Sequence, residues 1–477
     1  MSESENLIQT VISTLNRLSG ILHEPPESVD QPTSGDSVGR KHGDGLDDTK
    51  ILGNDVFNLV RQHSGRLKRK KTSNILDALH ERNLGATIRN LDEKAVSGTY
   101  EKDGDIFVCA TRFGGVRIYD TRTDQTIPSM WFKRANPEES ITECTVSPDA
   151  RYLAYSMTMG GMVLQPMERE DAPASCFQLE GRLAARSFAA CLKFAPSRDE
   201  IIAGTTDSSI LFFDLKSLKQ TQQITTQAGR IRGLALADPY SQIFYTGGDD
   251  GLIKVWDRRT VQGSDSQPVG YLAGHRNAVL FIDSKNDGRY LISCSHDQSI
   301  KLWDIRSMTD KKAIQERRPL QGSIEWELRL VRPNRTDSWA SPASGDASVL
   351  TFRTILVDET EIHCRFSPMA TTGQRFVYAG CRSGRVKIFD ILSGKLAMSN
   401  GEFGPYACLR DVSWHPYLPI IKATRLCGFV DEYRYSAAPQ KVVPHEYDEI
   451  YRESPNPLLG LYRDIVPGRR VGQRLRF

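Results

Sequence analysis

Two stretches of the chain hold the same polar groups at the same spacing. TGGDDGLIKVWDRRT (246–260) and SCSHDQSIKLWDIRS (293–307) each place an Asp six residues before a Trp and close on Trp-Asp-x-Arg. Asp250 with Trp256 and Asp297 with Trp303 are the first pairing; Asp257 with Arg259 and Asp304 with Arg306 are the second. His275, in AGHRN, adds an imidazole upstream of the second copy. A His–Asp pair could move protons, and guanidiniums in neighbouring units could grip carboxylates or carbonyls of a partner. Proton chemistry would need a nucleophile or an activating constellation beside it. The chain has no HExxH, P-loop, GxGxxG after a strand, or kinase set, and its one GxSxG match, GDSVG (35–39), falls in a stretch of linker composition and not in a strand-to-helix turn. Its nine His are scattered, and its nine Cys form no CxxC and no zinc-spaced cluster. The expectation is a binding platform, not an enzyme, with no metal or cofactor.

The elements that must position these groups repeat. An apolar strand ending in aromatic-Asp recurs as VRIYDTR (Asp120), ILFFDLK (Asp214), IKVWDRR (Asp257), IKLWDIR (Asp304) and VKIFDIL (Asp390). Asp214 to Asp257 is 43 residues, Asp257 to Asp304 is 47, and the 94 from Asp120 to Asp214 hold a weaker unit at 141–166. A degenerate unit closes the series at 409–435. Each unit reads strand, turn, strand, tight Gly/Asp/Ser turn, strand. This is the grammar of a four-stranded blade of a WD-repeat β-propeller. The spacing predicts an all-β fold with seven blades over 96–437, and an insertion at 307–347 before one blade's outer strand in place of an eighth blade. Asp250 and Asp297 then belong to the turns between second and third strands. His275 meets such a carboxylate, and Trp256 and Trp303 wedge each blade against its neighbour, which makes all five structural.

Bulk composition narrows the class. With 62 basic and 59 acidic residues in 477, the net charge of +3 gives no reason to expect wholesale nucleic-acid binding. The acidic N-terminus is unlike a secretory signal, and no apolar run approaches a membrane span. The Cys read as reduced thiols of an intracellular protein, and Asn334-Arg-Thr336 as an unmodified loop despite its sequon pattern. Residues 1–71 have a largely disordered composition and end in RLKRKK (66–71), which reads either as an import signal or as a solvated linker. TSNILDALHERNLG (72–85) predicts a helix capped at Ser73 or Asn74 and stopped at Gly85, with Ile75, Leu76, Leu79 and Leu84 along one stripe. It is too short to stand alone, so it must dock. The segment 72–95 is therefore a docking helix and lead-in, and 438–477 is a Pro-broken tail with a basic end.

The third strand of a blade ends on the face opposite the Asp turns, so Arg259, Arg306 and Arg122 emerge together on one face. They form either a docking patch or an ordinary solvated rim. Two successive repeats ending WDxR resemble the WDxR box of substrate receptors for cullin-4 RING ubiquitin ligases. Loop residues the fold does not demand, such as FIDSK (281–285) and RDVSWHP (410–416), carry the resemblance further. They make the chain similar to the family of damaged-DNA-binding-adaptor and cullin-4-associated factor eleven, also called WD-repeat protein twenty-three. The resemblance covers about residues 75–436. It implies that Asp257, Arg259, Asp304 and Arg306 meet the adaptor, that the helix bearing Ile75, Leu76 and Leu79 inserts into it, and that the opposite face takes a protein substrate. For this family the substrate class would be a cap'n'collar stress-response transcription factor, with nuclear and cytoplasmic pools. The residues expected on the substrate face are Arg112, Asp249, His296 and Arg382, joined by Arg232 and His363 from first strands. Their basic lean suits an acidic segment. The alternative is a scaffold of another nuclear assembly that touches nucleic acid through 66–71.

Overall fold

Alternating β-branched and aromatic runs such as YLISCS and IKLWD favour extended strands, and the Gly/Asp/Ser turns between them return the chain within a few residues. The computed structural model describes residues 94–434, with breaks in several connections, the longest at 315–344. The N-terminal region through residue 93, with Ile75, Leu76, Leu79 and the run 66–71, lies outside the described residues, as do the Asn334 sequon and the tail 438–477.

The described strands form seven antiparallel sheets. The first holds β1 (Ala95–Glu101), β2 (Ile106–Thr111), β3 (Gly115–Asp120) and β4 (Met130–Phe132). The second holds β5 (Ile141–Val146), β6 (Tyr152–Met157), β7 (Gly161–Pro166) and β8 (Ser175–Gln178). The third holds β9 (Ala189–Ala195), β10 (Glu200–Thr205), β11 (Ser209–Asp214) and β12 (Lys219–Thr225). The fourth holds β13 (Ile231–Leu236), β14 (Ile243–Gly248), β15 (Leu252–Asp257) and β16 (Gly270–Ala273). The fifth holds β17 (Val279–Ser284), β18 (Tyr290–Ser295), β19 (Ile300–Asp304) and β20 (Leu350–Phe352). The sixth holds β21 (Cys364–Phe366), β22 (Phe376–Ala379), β23 (Val386–Asp390) and β24 (Lys395–Asn400), with the single turn α1 (Met369–Thr372) between its first two strands. The seventh holds β25 (Leu409–Trp414), β26 (Ile420–Arg425) and β27 (Val430–Arg434). Each is one blade, so the protein is the seven-bladed propeller the repeat predicted.

The core lies between blades. Trp256 packs with Phe212 and Ile202 of the third blade, and Trp303 with Tyr245 and Val255 of the fourth. Each indole therefore wedges against the preceding blade. The ring closes where the Gly98 amide donates to Asp411 Oδ2 at 3.2 Å and the Tyr100 amide to Ser413 Oγ at 2.9 Å, joining blades one and seven.

The segment 307–347 does separate β19 from the outer strand β20. Its two described ends lie along the outer edge of β16. The Thr309 amide donates to Tyr271 O at 2.8 Å and the Ala347 amide to Ala273 O at 2.9 Å. An edge that would otherwise present bare backbone groups is thereby covered.

Candidate functional site

The frame around the two WDxR strands uses up most of the reactive groups. In the fifth blade, Trp303 Nε1 donates to Ser293 Oγ at 2.8 Å, which lies 2.7 Å from His275 Nε2. His275 Nδ1 lies 2.9 Å from Asp297 Oδ2. Asp297 also accepts the Arg276 amide at 2.9 Å and the Ser299 amide at 3.0 Å, which ties the loop before β17 to the turn before β19. Burial raises the Asp297 carboxyl, but the His275 contact and the donated hydrogen bonds outweigh it and hold it well below the usual carboxylate range. All four side chains are buried, so this relay reaches no substrate. The fourth blade has a reduced version. Trp256 Nε1 donates to Thr246 Oγ1 at 2.9 Å, and Asp250 accepts the Leu252 amide at 3.0 Å and pairs with Lys254 at 3.0 Å.

At the other end of the third strands, WDxR makes a small ring. Arg259 donates from Nε to Asp257 Oδ1 at 3.0 Å and from Nη2 to Oδ2 at 2.6 Å, while its amide donates to Oδ1 at 3.0 Å. Arg306 closes the same ring on Asp304, with Nη2 to Oδ2 at 3.0 Å and its amide to Oδ1 at 3.0 Å. Arg122 repeats it on Asp120. The arginine side chains are nevertheless 71% and 62% exposed at 259 and 306. Each guanidinium is therefore fixed in direction by its own strand and still open to a partner. Arg258, the other arginine of WDRR, is different. It pairs with the buried Glu200 of the third blade and lies over the Phe212 ring at 4.2 Å, joining two blades.

The same face carries apolar side chains that the repeat pattern gives no reason to expect. First and third strands both end there. The turns that follow expose Leu218, Met308, Met369, Tyr417 and Leu418, and Tyr152 stands exposed where β6 begins. Leu218 also has a left-handed backbone, φ 54°. The only sequence signal was an apolar residue inside a turn, as in HPYLP (415–419). Arginines interspersed with exposed apolar groups have the composition of a protein-binding patch.

On the opposite face the structure brings together Arg232 and Asp249, Nε to Oδ1 at 2.7 Å. A residue missed in the sequence joins them. Glu361 enters from the loop after β20 and takes Arg232 Nη1 at 3.1 Å, Arg230 Nη2 at 3.4 Å and Arg410 Nη2 at 3.4 Å. The pairing of β13 with β14 skips Arg232, and that of β25 with β26 skips Arg410, so both sit at bulges in the same place of their blades. A bulge re-aims its extra side chain, here toward the channel mouth. Burial raises the Glu361 carboxyl, but Arg410, Arg230 and Arg232 together lower it below its ordinary value. Arg112, His296 and Arg382 stand in the second-turn loops of blades one, five and six, Arg112 exposed and 5.5 Å over the Phe113 ring. His363 departs from expectation. It is buried, 3.2 Å from Asp411 and stacked on Phe281 at 4.2 Å, because its side chain turns into the seam between blades instead of out to solvent. Among the described residues no cluster of three or more His, Cys, Asp or Glu is placed to hold a metal ion, and no helix is long and apolar enough to cross a membrane.

The sequence matches the WD domain, G-beta repeat model at 218–257 and 266–304, which run into the two WDxR strands. It is 30% identical to the DDB1- and CUL4-associated factor 11 homolog of Caenorhabditis elegans over 348 residues, 71% of this chain and 60% of the relative. It is 30% identical to the protein of the same name in Caenorhabditis briggsae over 403 residues, 83% of this chain and 70% of that one. It is 32% identical to the LEC14B protein of Lithospermum erythrorhizon over 349 residues, 70% of this chain and 72% of the relative. The chain thus spans 60% of the first relative's length and about seven-tenths of the other two.

Proposed function

The chain belongs to the DDB1- and CUL4-associated factor 11 family, and we propose that it is a non-catalytic substrate receptor of a cullin-4 RING ubiquitin ligase. The observation that carries this reading is the pair of clipped, exposed guanidiniums on adjacent blades, Arg259 on Asp257 and Arg306 on Asp304. They lie on a face that also exposes Leu218 and Met308. That face takes the DDB1 adaptor, with Ile75, Leu76 and Leu79 of the 72–85 helix as further contacts. The opposite face, with Arg232 and Asp249 at the channel mouth and Arg112, His296 and Arg382 around it, takes the protein substrate. An acidic segment, such as one in a cap'n'collar transcription factor, suits that basic rim and would place the protein in nucleus and cytoplasm. Bridging of the two faces leads to ubiquitination and proteasomal degradation of the substrate.

The test is adaptor affinity of the full chain by calorimetry, with Arg259→Glu/Arg306→Glu beside the unmodified protein. Each substitution also takes a guanidinium from a largely buried carboxylate, so the thermal midpoint falls somewhat while the chain stays folded, and binding weakens by about 2–5 kcal/mol. An unchanged affinity in the double variant would remove the arginines from the interface.

A further inference from the structure

One position of the repeat changes character around the ring. The residue six before the aromatic of the third strand is Asp207 in blade three, Asp250 in blade four and Asp297 in blade five. The same ladder register puts Ser383 there in blade six, Cys427 in blade seven, Phe113 in blade one and Met159 in blade two. Where the residue is Asp, it holds the turn. Asp207 accepts from Ser187 Oγ at 2.8 Å, Asp250 from the Leu252 amide at 3.0 Å and Asp297 from the Ser299 amide at 3.0 Å. None of the three is exposed. Phenylalanine and methionine cannot accept such bonds. Blades one and seven close their turns through the backbone of a glycine: the Gly114 amide donates to Thr111 Oγ1 at 3.1 Å, and the Gly428 amide to Arg425 O at 3.0 Å. Released from the turn, the side chains face water. Phe113 is 46% and Met159 63% exposed, and Cys427 is exposed as well.

Blades seven, one and two follow one another around the ring, and backbone bonds join their turns. The Ala95 amide donates to Leu426 O at 3.2 Å and the Arg112 amide to Lys94 O at 2.8 Å. The Ile141 amide donates to Arg112 O at 2.9 Å and the Thr158 amide to Ser140 O at 3.1 Å. Leu426, Arg112 and Thr158 immediately precede Cys427, Phe113 and Met159. The Met159 amide also donates to the buried Glu139 at 3.3 Å. The three side chains therefore form one arc on a fixed frame, on the face away from Arg259 and Arg306, and ordering them costs a partner little. The channel mouth on the same face is different. There Arg230, Arg232 and Arg410 are already met by Glu361 and Asp249. In the turns and lead-in loops of blades one and two, the exposed charges among the described residues are Lys94, Arg112 and Lys133 against Glu138, an excess of cations.

We propose that Cys427, Phe113 and Met159 form an apolar anchor site, which takes a segment of the substrate protein that sets large apolar side chains beside a carboxylate. An exposed Phe or Met in a turn adds nothing to the fold, whereas aromatic and thioether groups covered by a partner carry much of a binding energy. Arg112, 5.5 Å over the Phe113 ring, and Lys94 meet the carboxylate. The proposal rests on the reading of this face as the substrate's. It moves the main contact from the internally neutralised mouth to blades seven, one and two.

A phage-displayed random peptide library, selected on the full chain without adaptor, supplies the probe. Enriched peptides are synthesised and their affinities measured by fluorescence anisotropy. They should combine aromatic or aliphatic residues with Asp or Glu, and Phe113→Asp/Met159→Asp should weaken them by about tenfold or more. This variant restores the residue type of blades three to five, so its thermal midpoint should not fall. Should it fall, Phe113→Ser/Met159→Ser, with the residue type that blade six has at Ser383, carries the same comparison. Peptides held equally well by the variant overturn the proposal. So do peptides lost only in Arg232→Glu, which would return recognition to the mouth, and a library from which nothing is enriched. Adaptor affinity on the same samples reports separately and should be unchanged in the double variant; its loss there would give the arc to the adaptor and also overturn the proposal. A chain that binds no adaptor, yet loses its peptides with Phe113 and Met159, keeps the anchor site and loses the ligase reading.

Discussion

Arg289 reaches across from the turn before β18 to hold Asp304, Nη2 to Oδ2 at 2.8 Å, the same oxygen that Arg306 Nη2 reaches at 3.0 Å. Asp304 therefore carries two guanidiniums, the half-buried Arg289 and the exposed Arg306. Asp257 on the neighbouring blade is held by Arg259, and the Arg259 contact lowers its carboxyl below the ordinary range. The sixth blade repeats the Arg289 arrangement with Arg375 and Asp390 at 2.8 Å but has Leu392 where an arginine would follow. Support of the carboxylate from the first turn and presentation of an arginine are thus separate features, and among the described residues only the fifth blade has both.

This separation predicts that Arg289→Ala affects stability and presentation together. Loss of a charged hydrogen-bonded partner to a buried carboxylate should cost about 1.5–3 kcal/mol in urea unfolding. Adaptor affinity should fall as well, because Arg306 loses the fixed anion that orients it. Arg306→Ala should weaken binding with little change in stability. Equal unfolding midpoints for the two variants would show that Arg289 does not support Asp304.

Leu218 sits in the turn between β11 and β12 with φ 54° and its side chain 43% exposed. A left-handed leucine costs about 1–2 kcal/mol that Asn would largely avoid, and an exposed apolar side chain adds nothing to the fold. Leu218→Asn should therefore raise the unfolding midpoint and lower adaptor affinity in the same protein. A variant that gains stability and binds as well as before would place the adaptor elsewhere on this face.

The propeller was legible because its cause is local: five copies of aromatic-Asp at the end of an alternating strand, with turn residues at fixed offsets. Residues 307–347 break that grammar, and LTF follows them as β20. The channel mouth was not. Glu361 lies in a connecting loop with no repeat to mark it, and its three arginines come from blades four and seven, so only the closed ring brings them together. Arg232 was picked out by its strand, but nothing in RIRG or CLRD says that bulges aim Arg232 and Arg410 inward. Within WDRR, the sequence likewise cannot tell that Arg258 is a staple to Glu200 and that Arg259 stays exposed; that depends on which neighbour blade holds an acid. His363 was misplaced for a related reason. A first-strand residue at the top of a blade faces either the channel or the seam, and one residue of register decides which.

Ser293 carries two buried partners at once, Trp303 Nε1 and His275 Nε2. In the fourth blade Thr246 carries Trp256 Nε1. Ser293→Ala should destabilise more than Thr246→Val, since each stranded buried group costs about 1–3 kcal/mol. Differential scanning calorimetry of the two variants checks the order. A larger loss from Thr246→Val would mean that the His275 relay adds nothing beyond the indole bond.

Asp411 joins three blades, accepting from Arg365 of the sixth at 3.0 Å and the Gly98 amide of the first at 3.2 Å while belonging to the seventh. Burial raises its carboxyl, but Arg365 and then His363 outweigh this and hold it well below the usual range. Its folded form thus binds a proton less readily than its unfolded form. The stability it contributes is complete above about pH 4, where an unfolded Asp is ionised, and is lost as the pH falls further. Asp297, held low by His275 and its hydrogen-bond donors, adds to the same acid limb. Asp411→Asn should make the fall of unfolding free energy below about pH 4 shallower. At neutral pH it should cost about 3–5 kcal/mol, because the half-buried Arg365 is left without its anion at the seam. Urea titrations at several pH values measure both. An acid slope unchanged by Asp411→Asn would show that the carboxylate at the ring's closing seam is not what acid attacks.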